Sequence, residues 1–292
     1  MRSNFKGICF VTLASLIWGL SGIAQSIGNN YMGVFTFNTS RTLLGAMFLL
    51  PVAVISTRRS GLKEDRKKLL KGGMLAGASL WGCLAIQQFC LTKLMVGKVV
   101  FLMSLYVIIV PLLNWPRSGN PGKKYFAALA FILIGLYMLC MKGGRFDFSV
   151  HELLMLGCAF FSAVHILLTD HYVSEVNCFA LICVEFATSA FLSIPAMLLF
   201  ETPHICQLTA AWKPLLYVGL VATAGGYSFE ALGQKRCDPS IASIILSLET
   251  VYAVFGAWLI LGQAMTKNEI FGCALMLTGT IIAQIPQKGP RN

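Results

Sequence analysis

Several side chains able to pair, bind or exchange protons sit inside long apolar runs: Trp18, Arg41, Trp81, Tyr106, His165, Glu185, Tyr227 and Glu249. An ionisable group in a hydrocarbon interior costs roughly 2.5–3.5 kcal/mol, and it persists where it meets a cavity, a partner or a substrate. Glu249 has two readings. It is a substrate or proton site, or a neutral carboxyl hydrogen-bonded to a neighbouring helix. His165 either shares in that chemistry or bridges two helices. Trp18 either stacks on a bound molecule or packs. All three fall near the middle of their runs and could share one layer. Arg41 does not lose its charge, so it needs an anionic partner, carbonyl groups or water. Glu185 is one possible partner, separated by roughly 7 Å in depth at helical rise; a substrate carboxylate is another. Trp81, Tyr106 and Tyr227, with Gln87 and Gln88, form a second rank of cavity candidates. Glu230 is expected near a helix end, facing water.

The motifs of several other chemistries are missing. No HExxH or GxSxG is present, which argues against a zinc or serine hydrolase. No GxxxxGK[ST] is present either, so the chain is not expected to hydrolyse ATP on its own. The ten cysteines form no CxxC pair and no zinc-spaced cluster; they read as small apolar packing residues, with no metal and no cofactor implied. A membrane-embedded enzyme and an ion channel remain alternatives to a transporter. Hydrolysis of a lipid or peptide would favour the first, and conductance without saturation the second.

The elements that must position these residues follow from composition. Of 292 residues, 57% are hydrophobic and 12% charged, against roughly 25% charged in a soluble domain. The fold class expected is an all-α membrane protein. A spanning helix needs about 20 mostly apolar residues. Ten such segments are predicted at 6–27, 33–56, 72–91, 97–116, 125–141, 152–173, 178–200, 214–233, 240–262 and 270–286. The first is too long for the core of a signal peptide and reads as a membrane helix. Residues 57–71 form the largest polar stretch, expected as an exposed loop with a short amphipathic part.

The net charge of +11 does not point to nucleic acid, because the bases sit in short connections without interleaved aromatics. They report orientation. With the N-terminus inside, sixteen Lys and Arg fall on the inner side and six on the outer. That asymmetry places both termini in the cytoplasm, in a multi-pass plasma-membrane protein.

The chain also repeats itself. At an offset of 144, Phe35 meets Phe179, Ala46 meets Ala190, Pro51 meets Pro195, Ala130 meets Ala274 and Gly135 meets Gly279. Nearby offsets align Gly73 with Gly219 and Trp81 with Tyr227. The expected repeats are 1–145 and 146–292, each of five helices. An odd number forces opposite insertion, and inverted repeats are the usual basis of alternating access. Duplication for packing alone is the other reading.

Trp18-Gly19 in ASLIWGLSGIA, Arg41 in NTSRTLLGAMFLL, the run VGKVVFLMSLYVIIVPLL and the run SIASIILSLETVYAVFGAWLILGQAMTKNEIFGCALMLTGTIIA together resemble the drug/metabolite transporter superfamily, EamA branch. The resemblance covers nearly the whole chain. It implies a ten-helix transporter and a small-molecule cargo such as an amino acid or a drug-like compound, exported across the bilayer. Two positions depart from the family pattern. Thr250 stands where the family has proline, which suggests a ninth helix straighter than in relatives. Gln263 replaces an acidic residue. Proton coupling through Glu249 is the expected energy source. Cargo identity and oligomeric state are not encoded in these motifs.

Overall fold

The computed structural model describes residues 5–60, 65–118, 123–140, 149–261 and 266–284. All fourteen α-helices and one π-helical run lie there, with no strand among the described residues. In order they are α1 (Phe5–Gly28), α2 (Val34–Ser60), α3 (Arg66–Cys90), α4 (Val96–Met103), α5 (Tyr106–Ser118), α6 (Lys123–Cys140), α7 (Val150–Val173) and α8 (Cys178–Phe200). After these come the short α9 (Ile205–Ala210) and α10 (Trp212–Leu216), the π-helical run Tyr217–Gly226 and α11 (Tyr227–Gln234). The chain then forms α12 (Pro239–Leu246), α13 (Glu249–Leu261) and α14 (Lys267–Gln284). Eight spans are long and apolar enough to cross a membrane, and α6 and α14 contribute shorter apolar stretches. The ten predicted segments correspond to these eight spans and two shorter helices, with the predicted ends at 141, 262 and 285–286 outside the described residues.

The polar stretch at 57–71 is corrected in part. α2 continues to Ser60 and α3 begins at Arg66. Asp65 caps α3, its carboxylate accepting from the Lys67 and Lys68 amides. Gln263, and the bases Arg2, Lys63, Lys142, Arg145, Lys288 and Arg291, lie outside the described residues.

The surface pattern is that of a protein dissolved in lipid. Large apolar side chains such as Met47, Phe191, Leu199 and Leu259 are exposed, while Arg41, Glu185, Glu230 and Glu249 are buried. Lipid is as apolar as leucine, so burying leucine between helices gains little; close approach and hydrogen bonds hold helices together instead. Gly73 and Gly77 provide that approach between α3 and α8. An added Cβ would lie 2.5 Å from a Val184 methyl carbon at the first and 2.5 Å from the Glu185 carbonyl at the second. At the end of α8, Glu201 caps α2 from across the bundle. Its carboxylate accepts from the Phe35 amide at 2.8 Å and from the Thr36 amide at 2.7 Å.

The two halves show their relation in reciprocal contacts. A Cβ on Gly135 of α6 would meet the Gly272 carbonyl at 2.6 Å, and one on Gly279 of α14 would meet the Ala128 carbonyl at 2.8 Å. Shifting 128 and 135 by 144 gives 272 and 279, so each half presents the same pair of positions to the other. The broken helices match as well. α4 and α12 have eight residues each, α5 and α13 thirteen each, and two residues separate the members of each pair. The architecture is that of two inverted five-helix repeats.

The segment predicted as a single ninth helix, 240–262, is broken before α13. Thr250 does remove a proline, yet the helix interrupts at Ser247 and Leu248. The Ser247 hydroxyl donates to the Ile244 carbonyl at 2.6 Å, as the Ser104 hydroxyl donates to Val100 at 2.9 Å. Serine back-bonding of this kind competes with the helical ladder. Proline acts elsewhere. Pro111 has no N–H to offer the Val107 carbonyl, and the Tyr125 hydroxyl from α6 donates to that carbonyl at 2.7 Å.

Candidate functional site

The broken helices and their neighbours enclose a cavity of about 60 Å³, room for a few waters at roughly 10–15 Å³ for each. Each side of it comes from a different helix. α1 supplies Trp18, Ser21 and Gln25; α2 supplies Arg41; α3 supplies Cys83 and Gln87. Tyr106 opens α5, and Ser162 and His165 come from α7. Tyr227 and Glu230 come from α11, and Glu249 opens α13.

Glycines set the spacing around it. A Cβ on Gly19 would stand 2.7 Å from the Glu249 carbonyl, so α1 and α13 touch backbone to backbone and hold Trp18 and Glu249 on one cavity. Trp18 is fixed at its polar edge. Its indole N–H donates to the Ala222 carbonyl at 2.9 Å, within the π-helical run. Gly226 leaves the space that the indole occupies. π-Helical turns widen the backbone and recur at functional sites. The Trp18 ring then lies 4.7 Å from Tyr227 between centroids, and Tyr227 meets His165 edge-on at 5.6 Å.

The ionisable groups divide into separate partnerships. The Tyr106 hydroxyl donates to Glu249 Oε1 at 3.1 Å. His165 Nε2 lies 3.2 Å from Glu185 Oε2, with both side chains buried. Gln234 Nε2 donates to Glu230 Oε1 at 3.1 Å. Beside them the Cys83 and Cys158 sulfurs are 3.6 Å apart, and Cys83 also meets the Ser162 hydroxyl at 3.0 Å. Among the described residues no cluster of His, Cys, Asp and Glu is arranged to hold a metal.

Of the residues singled out from sequence, Trp18, Arg41, Tyr106, His165, Tyr227 and Glu249 line one cavity. Glu185 stands behind His165, and Trp81 is not among the lining residues. One pairing and one placement are corrected. Glu185 of α8 pairs with His165 of α7 and not with Arg41. Glu230, expected to face water, is buried on the cavity wall. Gln87 lines the cavity, whereas Gln88 ties α3 to α1 through the Gln25 carbonyl at 3.2 Å and the Asn29 side chain at 2.6 Å. Gln25, Ser21 and Cys83 were not foreseen. A glutamine within an apolar helix was the available signal for Gln25.

Comparison with known proteins places this geometry in context. The model of the EamA-like transporter family matches the chain twice, at residues 5–141 and 150–284. A protein of Archaeoglobus fulgidus described as an uncharacterized transporter is 26% identical over 276 residues, 94% of this chain and 84% of that one. The uncharacterized transporter YwfM of Bacillus subtilis is 27% identical, covering 99% of this chain and 97% of its own length. A protein of known crystal structure superposes with a TM-score of 0.79 at 18% identity, over 99% of this chain and all of that one. This last likeness is one of fold.

Proposed function

The chain belongs to the EamA-like transporter family, and from that premise we propose that it is a secondary exporter of a small metabolite, working by alternating access. The moving units are the halves 1–145 and 146–292. Both termini face the cytoplasm, and the membrane is the plasma membrane. The cargo is an amino acid or a drug-like compound, and Glu249 carries the coupling proton.

One observation carries this reading. Tyr106 and Glu249 begin the matched helices α5 and α13, and they meet on the cavity wall. A site made where matched residues of the two halves meet is reached from either side when the halves rock, which is the requirement of alternating access. The nearby Ser104 and Thr250 hydroxyls, one from each half, touch at 2.7 Å. A carboxyl there is placed to gain and lose a proton as the cavity turns from one face to the other.

The test has two steps. An untargeted comparison of metabolites inside and outside cells, with and without this gene, nominates a cargo. Reconstituted vesicles then measure its flux with and without a pH gradient. Saturable flux driven by the gradient is expected. Flux that neither saturates nor responds to the gradient would remove the proposal.

A further inference from the structure

Arg41 is a buried charge with no ion-pair partner among the described residues. Its side chain is 3% exposed and lines the central cavity. Its Nε is fully buried without a hydrogen-bond partner, and among the described residues no carboxylate lies within ion-pair distance. It shares the cavity lining with Tyr227 and Cys83, which are not carboxylates, and with Tyr106, His165, Glu230 and Glu249. Each carboxyl of the region has one oxygen bonded to another residue, Glu185 to His165, Glu249 to Tyr106 and Glu230 to Gln234, while the second oxygens of Glu185 and Glu230 are themselves without a partner.

A guanidinium does not shed its charge, and burying an unpaired charge in hydrocarbon is costly. Glu230 and Glu249 line the same cavity, yet neither forms an ion pair with it. The planar fork of arginine matches an oxyanion with two parallel hydrogen bonds. We propose that Arg41 is the subsite for an oxyanionic group, a carboxylate or a phosphate, on the transported molecule. The proposal rests on the transporter reading for the identity of its occupant as cargo.

Binding is measured on the purified full chain in detergent, by the thermal unfolding midpoint at constant ionic strength. The probes are propionate, inorganic phosphate and the neutral propionamide. Ligands that bind only the folded state raise the midpoint, and a saturable rise of about 2–4 °C is expected for an anion. Propionamide should give none. A larger response to propionate assigns a carboxylate, and a larger response to phosphate assigns a phosphate. Arg41→Lys should keep a reduced response and Arg41→Gln should lose it. Equal responses to propionate and propionamide overturn the proposal. So does silence toward both anions, or an undiminished anion response in Arg41→Gln. The wild-type comparison stands even if the glutamine variant does not fold. The readout needs no flux, so anion binding without vesicle transport would retain this site and remove the transport reading. Transport with no anion response would do the reverse.

Discussion

The Tyr106 hydroxyl donates to the Glu249 carboxyl at 3.1 Å, across a sequence separation of 143. That separation is also the shift that lays α4 and α5 on α12 and α13. The two residues therefore hold the same place in the two halves, each the first after a helix break, within Ser-Leu-Tyr and Ser-Leu-Glu. One half contributes a hydroxyl at this point and the other a carboxyl.

Replacing the acid separates proton carriage from shape. Glu249→Gln keeps size and hydrogen bonding and removes titration. It should bind the nominated cargo in detergent as the wild type does, while its flux in vesicles loses dependence on pH. Tyr106→Phe removes one buried donor from the carboxyl, a loss of about 1–3 kcal/mol, and should lower the unfolding midpoint while leaving some pH dependence. Wild-type pH dependence in Glu249→Gln would end the proton role.

The glycine contacts between α6 and α14 make a prediction about assembly. Gly279→Leu drives a side chain into the Ala128 carbonyl, 2.8 Å from the new Cβ, and into Ile132. Overpacking of this kind costs about 1–3 kcal/mol. Leu277 is 42% exposed at the apolar surface, so Leu277→Ala should be mild. Yield of monodisperse protein after extraction reads the difference. Equal yields would contradict the reciprocal packing.

The helices were legible because a span has a minimum length and few charges, and the repeat because Pro51, Pro195, Gly135 and Gly279 keep one spacing. The break at Ser247 was not legible. It follows from a serine bonding its own backbone, in a run without proline or glycine. Depth along a helix located Arg41, His165 and Glu185 in the membrane interior, but it carries no rotation. Rotation decides that Glu185 turns to α7 while Arg41 faces the cavity. Glu230 was misplaced for the same reason. Position near a helix end suggested water, and the side chain instead turns inward beside the π-helical run.

Orientation is open to labelling. The excess of bases on one set of connections predicts that Ser60 and Gly289, the latter outside the described residues, face the cytoplasm. Cys9 and Cys206 are exposed and are replaced first. A cysteine introduced at either position should resist a membrane-impermeant maleimide in intact cells and react after the cells are opened. Reaction in intact cells would invert the topology.

The His165–Glu185 pair offers a test of whether buried charge here serves structure. The two side chains lie 3.2 Å apart with exposures of 5% and 1%, and Thr169 adds a hydroxyl 3.4 Å from the same ring nitrogen. Removing one member of a buried pair leaves the other without compensation, at about 3–5 kcal/mol, whereas replacing both is often close to neutral. Glu185→Leu and His165→Leu should each lower the unfolding midpoint strongly, and the double variant should recover much of the loss. Because His165 also touches Tyr227 at the cavity, the double variant should fold yet transport poorly. If the two single losses simply add, the residues do not act as a pair. If the double variant folds and transports at the wild-type rate, the pair has no part in the cavity's work.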